Sequence, residues 1–269
     1  MKHLVNMIRY LKIYSLFVRN SVKLFMSHRF NFLMGILANT VWTISQLVSL
    51  RFLFDKINTF QGWSYPDLIL LLAFGQIYVY GSYMIYDINL SNLPKKVISG
   101  DFDRMLTKPI NIKFLSSFET IAVAQFIPML VTVTPLLVYG LVGRQTLTVF
   151  SLLTALALCI LGVIAFFFLS LALIGLTFFI ENALSIKDFL AQRSTDLSRI
   201  PVTFFPKAIQ YTLTFIIPLA FVTYYPVLII QDKINLFMPI LTVLAITAVF
   251  YFLQKWIWKK GLINYSGVG

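Results

Sequence analysis

The feature that most constrains the fold of this chain is its longest apolar segment, residues 147–180, which contains no Asp, Glu, Lys or Arg. A helix crosses a hydrocarbon layer about 30 Å thick with about 20 mostly apolar residues. The segment is longer than one perpendicular span needs, so we expect one tilted or kinked helix with protruding turns. Soluble domains rarely contain such a segment. The chain is therefore predicted to be embedded in a membrane.

Six apolar segments are long enough to span a membrane, and the composition agrees, because 59% of the 269 residues are hydrophobic and only 12% are charged. They comprise residues 32–52, 66–86, 120–142, 147–180, 208–230 and 236–256. The predicted fold class is an all-α integral membrane protein with six transmembrane helices. In this interpretation residues 1–269 form a single transmembrane domain.

The distribution of Lys and Arg predicts which side of the membrane each loop occupies. If the N-terminus is cytoplasmic, residues 1–31, 87–119, 181–207 and 257–269, together with Lys255, carry 18 of the 22 basic residues. Such an excess in cytoplasmic loops is the positive-inside rule. Both termini are therefore predicted to be cytoplasmic, in a multi-pass protein of the cytoplasmic membrane. Anionic lipid headgroups account for the net charge of +12, and no nucleic-acid partner is predicted.

The first 29 residues have the pattern of an amphipathic helix. They contain no Asp or Glu, and apolar residues recur at spacings of three and four, at Leu4, Ile8, Leu11, Tyr14, Val18, Val22 and Phe25. The basic residues of this segment lie elsewhere on the helical wheel. We expect an interface helix on the inner leaflet, with its basic flank on lipid phosphates. An ordinary solvated helix packed on another domain is the alternative.

Away from their ends, the six apolar segments lack the side chains that ion-coupled carriers and enzymes use. They contain no Asp, Glu, Lys, Arg or His there, whereas carriers coupled to protons or sodium hold ionisable groups at membrane depth. No Walker-type phosphate loop is present, and His3 and His28 have no carboxylates near them in the sequence. The chain is therefore predicted to be non-catalytic, without a cofactor of its own, and to take its energy from elsewhere. Cys159 is predicted to be a buried, unreactive thiol.

The loop between the second and third predicted spans is predicted to form two short helices. Ser91 or Asn92 caps the first helix, and Pro94 occupies its first turn. Gly100 ends this helix in a left-handed conformation, and Asp101 then caps the second.

The second of these helices stops at Pro109, and the two helices share an apolar face. The residues of this face are Val97, Ile98, Phe102, Met105 and Leu106. A short amphipathic element of this kind is suited to dock into a groove of a soluble partner. A loop helix at the membrane interface without a partner fits the pattern equally well.

Three segments of the chain carry a family resemblance. Residues 98–109 read ISGDFDRMLTKP, and residues 258–267 read WKKGLINYSG. Between them, FFP at 204–206 is followed by IPLAF at 217–221 and YYP at 224–226. In this order and spacing, with six spans, the segments resemble the ABC-2 type permease family, the membrane subunits of bacterial ATP-binding cassette (ABC) transporters.

The resemblance implies a half-transporter: two such permeases, alike or different, pair in the membrane, and each engages a separate ABC ATPase subunit. ATP and Mg²⁺ are expected in that subunit. The coupling helix of the family corresponds to residues 91–109 of this chain. The contacts expected with the ATPase are Leu93, Lys95, Lys96, Gly100, Asp101, Phe102, Asp103, Arg104, Leu106 and Pro109.

The resemblance also implies a break or a short re-entrant element at residues 218–231, before the sixth span. Pro218, Tyr224, Tyr225 and Pro226 are the residues expected at this break or on a substrate path. Proline lacks a backbone donor, so a break in lipid has to be buried against protein or line a cavity. A simple kink of the helix is the alternative.

The roles of several aromatic and small residues stay open at the level of sequence. Contact with an amphipathic substrate is compatible with six tyrosines, which are Tyr78, Tyr80, Tyr83, Tyr86, Tyr224 and Tyr225. Anchoring at the membrane interface is equally compatible with Tyr86 and Tyr225. Helix packing is favoured over a substrate path for Gly75, Gly81, Gly162 and Gly175. The leading interpretation is the permease of an ABC exporter. A carrier or channel independent of ATP and a membrane enzyme or scaffold acting on lipids are the alternatives, and the substrate is not specified.

Overall fold

The computed structural model describes residues 2–26, 29–55, 57, 59–145, 147–180, 182–265 and 267. Five helices in this part of the chain are long and apolar enough to cross a membrane, namely Leu33–Phe52, Tyr65–Ile98, Val123–Leu141, Val149–Phe178 and Phe237–Asn264. Two shorter segments, Lys207–Ile216 and Ala220–Ile230, meet at a bend of 84° and make a sixth span if they are counted together. The predicted all-α membrane class is therefore confirmed, with up to six spans.

The helices follow one another along the chain with short connections. In order they are α1 (Lys2–Met26), α2 (Arg29–Phe54), α3 (Tyr65–Ser82), α4 (Ile88–Ile98), α5 (Asp101–Leu106), α6 (Ile112–Phe118), α7 (Phe126–Leu141), α8 (Val149–Gly175), α9 (Ala183–Leu197), α10 (Lys207–Tyr211), α11 (Tyr225–Ile230) and α12 (Phe237–Asn264). Turns with π-helical hydrogen bonding occupy Tyr83–Asp87, Thr212–Ile216 and Ala220–Tyr224. Single 3-10 turns occupy Val123–Gln125, Leu176–Phe178 and Val202–Phe204. An antiparallel hairpin pairs β1 (Thr59–Phe60) with β2 (Trp63–Ser64).

The central helix is α8, which packs against α12, α11, α9 and the π turn Ala220–Tyr224. Gly162 permits this packing, because a Cβ atom at that position would lie 3.0 Å from backbone atoms of Phe221 and Val222. Small residues allow membrane helices to approach one another in this way. Cys159, one turn earlier on α8, is 1% exposed, as its prediction as a buried thiol requires.

In contrast, α2 lies at the periphery of the protein. It contacts α3 and α7, but only 6% of its apolar span is buried. Large apolar side chains on this helix are exposed, among them Leu33, Leu37, Val41, Val48 and Phe52. In a bilayer, a face of this kind contacts lipid tails or another transmembrane helix.

An ion pair connects α3 and α7 at the end of the molecule that carries the hairpin. The Ser64 backbone N–H donates to the Asp67 carboxylate over 2.8 Å, in the first turn of α3. Arg144, just beyond α7, donates to the other oxygen of Asp67 over 2.7 Å. Both side chains of this pair are at least 85% buried. The connection fixes the two helix ends to each other.

The second span differs from its prediction in where it ends. The helix does not stop near residue 86: it continues through the π turn Tyr83–Asp87 into α4. The prediction that Ser91 or Asn92 caps a new helix with Pro94 in its first turn is therefore wrong. Packing explains the difference, because Leu90 and Leu93 of α4 are both fully buried, and such burial outweighs the local preference of Ser and Asn for caps.

Candidate functional site

The region predicted to couple to a partner forms a compact corner between α4 and α5, here called the α5 tip (residues 98–106). Gly100 makes the turn with φ of +77°, in the left-handed region that was predicted for it. It is also the N-cap of α5, so Asp101 is the first helical residue and not the cap. Hydrogen bonds from Arg104 and then from Ser99 lower the pKa of the Asp101 carboxyl group.

The predicted apolar face of this region divides between the interior and the surface. Phe102 and Met105 are 0% and 4% exposed, and their side chains point into the protein. Ile98 is 76% exposed and Leu106 is 44% exposed. One side of the α5 tip therefore anchors it, while the other presents two apolar side chains at the surface.

The anchoring side of the α5 tip contacts the C-terminal end of the chain. The rings of Phe102 and Tyr265 meet edge to face, with centroids 5.2 Å apart, and Phe178 lies 5.4 Å from Phe102. Phe178 in turn contacts Trp258, whose indole N–H donates to the Leu171 carbonyl over 2.7 Å. The first and third segments of the family resemblance, 160 residues apart, thus pack together; Ser266 of the third lies outside the described residues.

The hydroxyl group of Tyr265 lies beside a carboxylate of the α5 tip. Burial raises the pKa of Tyr265, and the negative charge of Asp103 raises it further. Gly261, one helical turn earlier, is as tightly packed, because a Cβ atom there would lie 2.9 Å from Cβ of Phe178. The C-terminal end of α12 is therefore fitted closely to the underside of the α5 tip.

The predicted coupling residues differ in their accessibility. Leu93 and Phe102 are fully buried, so they hold the α5 tip in place and do not face a soluble partner in this conformation. Half-buried positions are Lys96, Gly100, Asp101 and Asp103, and exposed positions are Lys95, Arg104, Leu106 and Pro109. Lys96 and Lys108 both form ion pairs with Glu119, which follows α6.

The N-terminal helix α1 packs against the segment that follows the α5 tip. Arg9 donates to the Pro109 carbonyl over 2.7 Å, and the Asn111 backbone N–H donates to the Tyr10 hydroxyl over 3.0 Å. The rings of Tyr10 and Phe114 lie 4.9 Å apart. The helix is therefore in contact with the coupling region along its side.

The faces of α1 are arranged differently from the prediction. The side that contacts the protein carries Tyr10, Tyr14, Phe17 and Ser21. Of the predicted apolar face, Ile8, Leu11 and Val22 are exposed, and the side chain of Leu4 lies outside the described part. Helix α1 therefore has three faces. One face contacts the rest of the protein, the second exposes apolar side chains, and the third carries the basic residues.

Sequence reasoning missed the buried Lys187 on α9, which is 1% exposed. Its ammonium group lies 2.7 Å from the Asp87 carboxylate, 2.6 Å from the Ser91 hydroxyl and 3.1 Å from Asp188. It therefore joins α9 to α4 at the end of the π turn. The sequence signal that could have revealed it is the spacing of small residues on α9. Ala183, Ser194 and Ser198 lie on the same helical face as Lys187, and all three are buried.

The predicted break before the sixth span coincides with the 84° bend, where Pro218 lies between the two helical segments. Pro226 is in the first turn of α11. Tyr224 and Tyr225 line a cavity of about 380 Å³, together with Gln210, Thr214 and other residues. Neither proline is among its described lining residues. Phe204, before the bent pair, packs against Phe60 of the hairpin with ring centroids 5.1 Å apart, and Lys233, after it, donates to the Gly62 carbonyl over 3.3 Å. Both ends of the bent pair therefore lie beside the hairpin, which favours a re-entrant element over a broken span, and the assignment stays a prediction.

The fold defines a multi-pass membrane protein, and its described residues include no group of three or more His, Cys, Asp or Glu that could hold a metal ion. A family model described as ABC-2 family transporter protein matches residues 40–269. The chain therefore belongs to the ABC-2 transporter family and is an ABC transporter permease, as its motifs predicted. No curated protein and no solved structure gives a significant match.

Proposed function

We propose that this chain is the non-catalytic permease subunit of an ABC exporter in the cytoplasmic membrane, driven by a separate ATPase that docks on the α5 tip. The observation that carries this proposal is the two-sided α5 tip. Ile98 and Leu106 are exposed there, although the residues beside them are anchored in the interior. A short amphipathic helix that exposes apolar side chains in this way is suited to dock into a groove of a soluble partner.

The proposed orientation places the α5 tip and both termini in the cytoplasm. The positive-inside rule supports it, because Lys95, Lys96, Lys108 and Lys113 surround the α5 tip along the chain. In this orientation α1 lies at the inner leaflet. Its exposed Ile8 and Leu11 contact acyl chains, and its basic side faces lipid phosphates.

Three structural connections join the α5 tip to the membrane-embedded part of the protein, and each can transmit a displacement of the tip by the ATPase. The first is the continuous helix Tyr65–Ile98, which ends at the tip. The second is the contact of Phe102 with Tyr265, which leads to α12. The third is the pair of Lys187 with Asp87, which leads to α9. Contiguous packed elements of this kind carry coupling between distant sites.

The remaining parts of the proposed transporter are supplied by other chains. ATP and Mg²⁺ bind to the ATPase subunit, and a second permease, identical or different, completes the membrane part. The exposed apolar face of α2 offers area for such a partner, since only 6% of its span is buried within this chain. The alternative is an ion-driven carrier or channel, which would transport its substrate without an ATPase.

The test is affinity purification of the tagged chain from the membranes of its own host. We expect an ABC ATPase to co-purify, and ATP hydrolysis by the complex in nanodiscs to depend on this association. Ile98→Asp and Leu106→Asp should each abolish co-purification.

The matched control is Val142→Asp, which places the same charge on a 73% exposed residue at the opposite end of the molecule. This variant should retain the ATPase. A chain that drives ion-gradient-dependent flux in liposomes without an ATPase, or tip variants that retain the ATPase, would contradict the proposal.

A further inference from the structure

A polar groove opens between α2, α3 and α9 near the π turn Tyr83–Asp87. It consists of two adjoining cavities of about 320 and 140 Å³. They share four lining residues, which are Asn39, Val79, Tyr80 and Thr195. A groove of this volume is large enough for a small polar group.

One wall of the groove is a polar stripe on α2, a helix that is otherwise apolar and exposed. Asn39, Trp42 and Gln46 line the groove at spacings of three and four. The buried amide oxygen of Gln46 has no hydrogen-bond partner among the described residues. An unpaired polar atom at membrane depth is unfavourable. This side chain is therefore free to accept a hydrogen bond from a ligand.

The opposite wall supplies aromatic rings and neutral polar groups. The tyrosines that line the larger cavity are Tyr78, Tyr80, Tyr83 and Tyr86. Amides and hydroxyls come from Gln76, Gln125, Gln192, Ser170, Thr195 and Ser198. Groups of these types both donate and accept hydrogen bonds, and aromatic rings offer flat apolar faces.

The charges of the groove are already paired within the chain. Asp87 lies 2.7 Å from Lys187, and Arg199 lies 3.2 Å from Asp196. The described lining therefore has no unpaired cation to bind a phosphate and no unpaired carboxylate to bind an amine. The lining matches an uncharged group with several hydroxyls.

The mouth of the groove is open at the surface of the protein. Trp42 is 58% exposed and Tyr83 is 42% exposed there, so a ligand with an apolar tail can leave that tail among the acyl chains. In the proposed orientation the Tyr83 side of this mouth is the cytoplasmic side, because Tyr83 lies in the half of the helix Tyr65–Ile98 that leads to the α5 tip. The π turn that lines the groove continues through α4 to the α5 tip, and π turns often occur at functional sites.

We propose that this groove binds the uncharged, hydroxyl-rich headgroup of an amphipathic lipid, such as a sugar or polyol, which enters from the inner leaflet. The proposal deepens the transport function and rests on it. It assigns Gln46 and the four tyrosines as headgroup contacts. Gly75 shapes the floor, because a Cβ atom there would lie 2.6 Å from the Ser198 hydroxyl oxygen.

The test is photo-crosslinking of the purified full chain in nanodiscs, without ATPase or ATP. The probes are diazirine-bearing glucosyl-diacylglycerol, phosphatidylglycerol and phosphatidylcholine, which share their acyl chains. We expect saturable labelling by the sugar lipid, displaced by its unlabelled form, and labelled peptides from α2 and α3. Preferred labelling by phosphatidylglycerol, or equal labelling by all three probes, would overturn the proposal.

Two variants on the same helix separate binding from folding. Gln46→Leu should weaken labelling by the sugar lipid about five- to tenfold, the effect of one lost hydrogen bond. It should not lower the melting temperature, because this amide oxygen has no partner among the described residues. The control is Ser49→Leu, at an exposed position away from the groove, which should bind normally.

Unchanged labelling of a folded Gln46→Leu variant would overturn the assignment. Because the assay contains no ATPase, its failure leaves co-purification with the ATPase intact, and the two proposals fail independently.

Discussion

The two members of the buried pair formed by Lys187 and Asp87 should differ in how much stability each supports. The Lys187 side chain is 1% exposed, whereas that of Asp87 is 26% exposed. Asp87→Asn leaves an ammonium group in the interior, and breaking a buried pair destabilises a protein by about 3–5 kcal/mol. Asp188 stays 3.1 Å from the ammonium group but is 53% exposed. We therefore expect a loss of about 3 kcal/mol, at the lower end of that range.

The reverse change should be milder. Lys187→Met replaces the ammonium group with a flexible apolar side chain that fills similar space. The remaining carboxylate of Asp87 is partly exposed and can be hydrated, so we expect a loss of about 1 kcal/mol. The double variant should resemble Lys187→Met alone, which gives a coupling energy with a magnitude of about 3 kcal/mol. The control Asp188→Asn removes an exposed partner and should lose at most about 1 kcal/mol.

Thermal unfolding in detergent can be followed with a thiol-reactive dye, because Cys159 is the single cysteine and is 1% exposed. For a chain of this size, about 3 kcal/mol corresponds to a fall of about 6–12 °C in the apparent melting temperature. Lys187→Met should lower it by about 2–4 °C. The reasoning is refuted if Asp87→Asn melts no lower than Lys187→Met, or if the effects of the two substitutions simply add.

Three further predictions use the same dye assay. Gly162→Ala should destabilise by about 1–3 kcal/mol, because the new Cβ meets backbone at 3.0 Å, whereas Gly81→Ala, with nothing within 4 Å, should change little. Equal shifts for the two glycines would contradict the described packing. Phe102→Ala should lose about 3–5 kcal/mol, because its ring is fully buried, whereas Ile98→Ala at the exposed corner should change little. If both are neutral, the α5 tip is not anchored as described. Trp258→Phe removes one buried hydrogen bond to α8 and should lose about 1 kcal/mol; a variant as stable as the parent would show that this bond contributes nothing.

The membrane spans could be predicted because the length of a charge-free apolar segment is a local property of the sequence. The continuation of the second span into α4 could not be predicted from the sequence. Ser91 and Asn92 favour a cap locally, whereas the burial of Leu90 and Leu93 depends on residues from distant parts of the chain, including Trp258. Tertiary contacts of this kind override local preference.

The candidate site, too, could be predicted from the sequence only in part. The left-handed turn at Gly100 was predictable, because few other residues adopt that conformation. Which apolar residues of the α5 tip face inward was not, because Phe102 is covered by Tyr265 from the other end of the chain. Lys187 looks like a solvated lysine in the sequence, since its partner Asp87 lies 100 residues earlier.

The coupling role of the α5 tip is tested most directly by labelling a single thiol at its exposed corner. Ile98→Cys adds an accessible thiol to a chain whose own Cys159 is buried, and Val142→Cys adds one at the opposite end. Maleimide labelling is measured for the chain alone and for its complex with the ATPase. We predict that the thiol at position 98 is protected in the complex, while the thiol at position 142 is labelled equally in both. Equal labelling of position 98 with and without bound ATPase would contradict the coupling role.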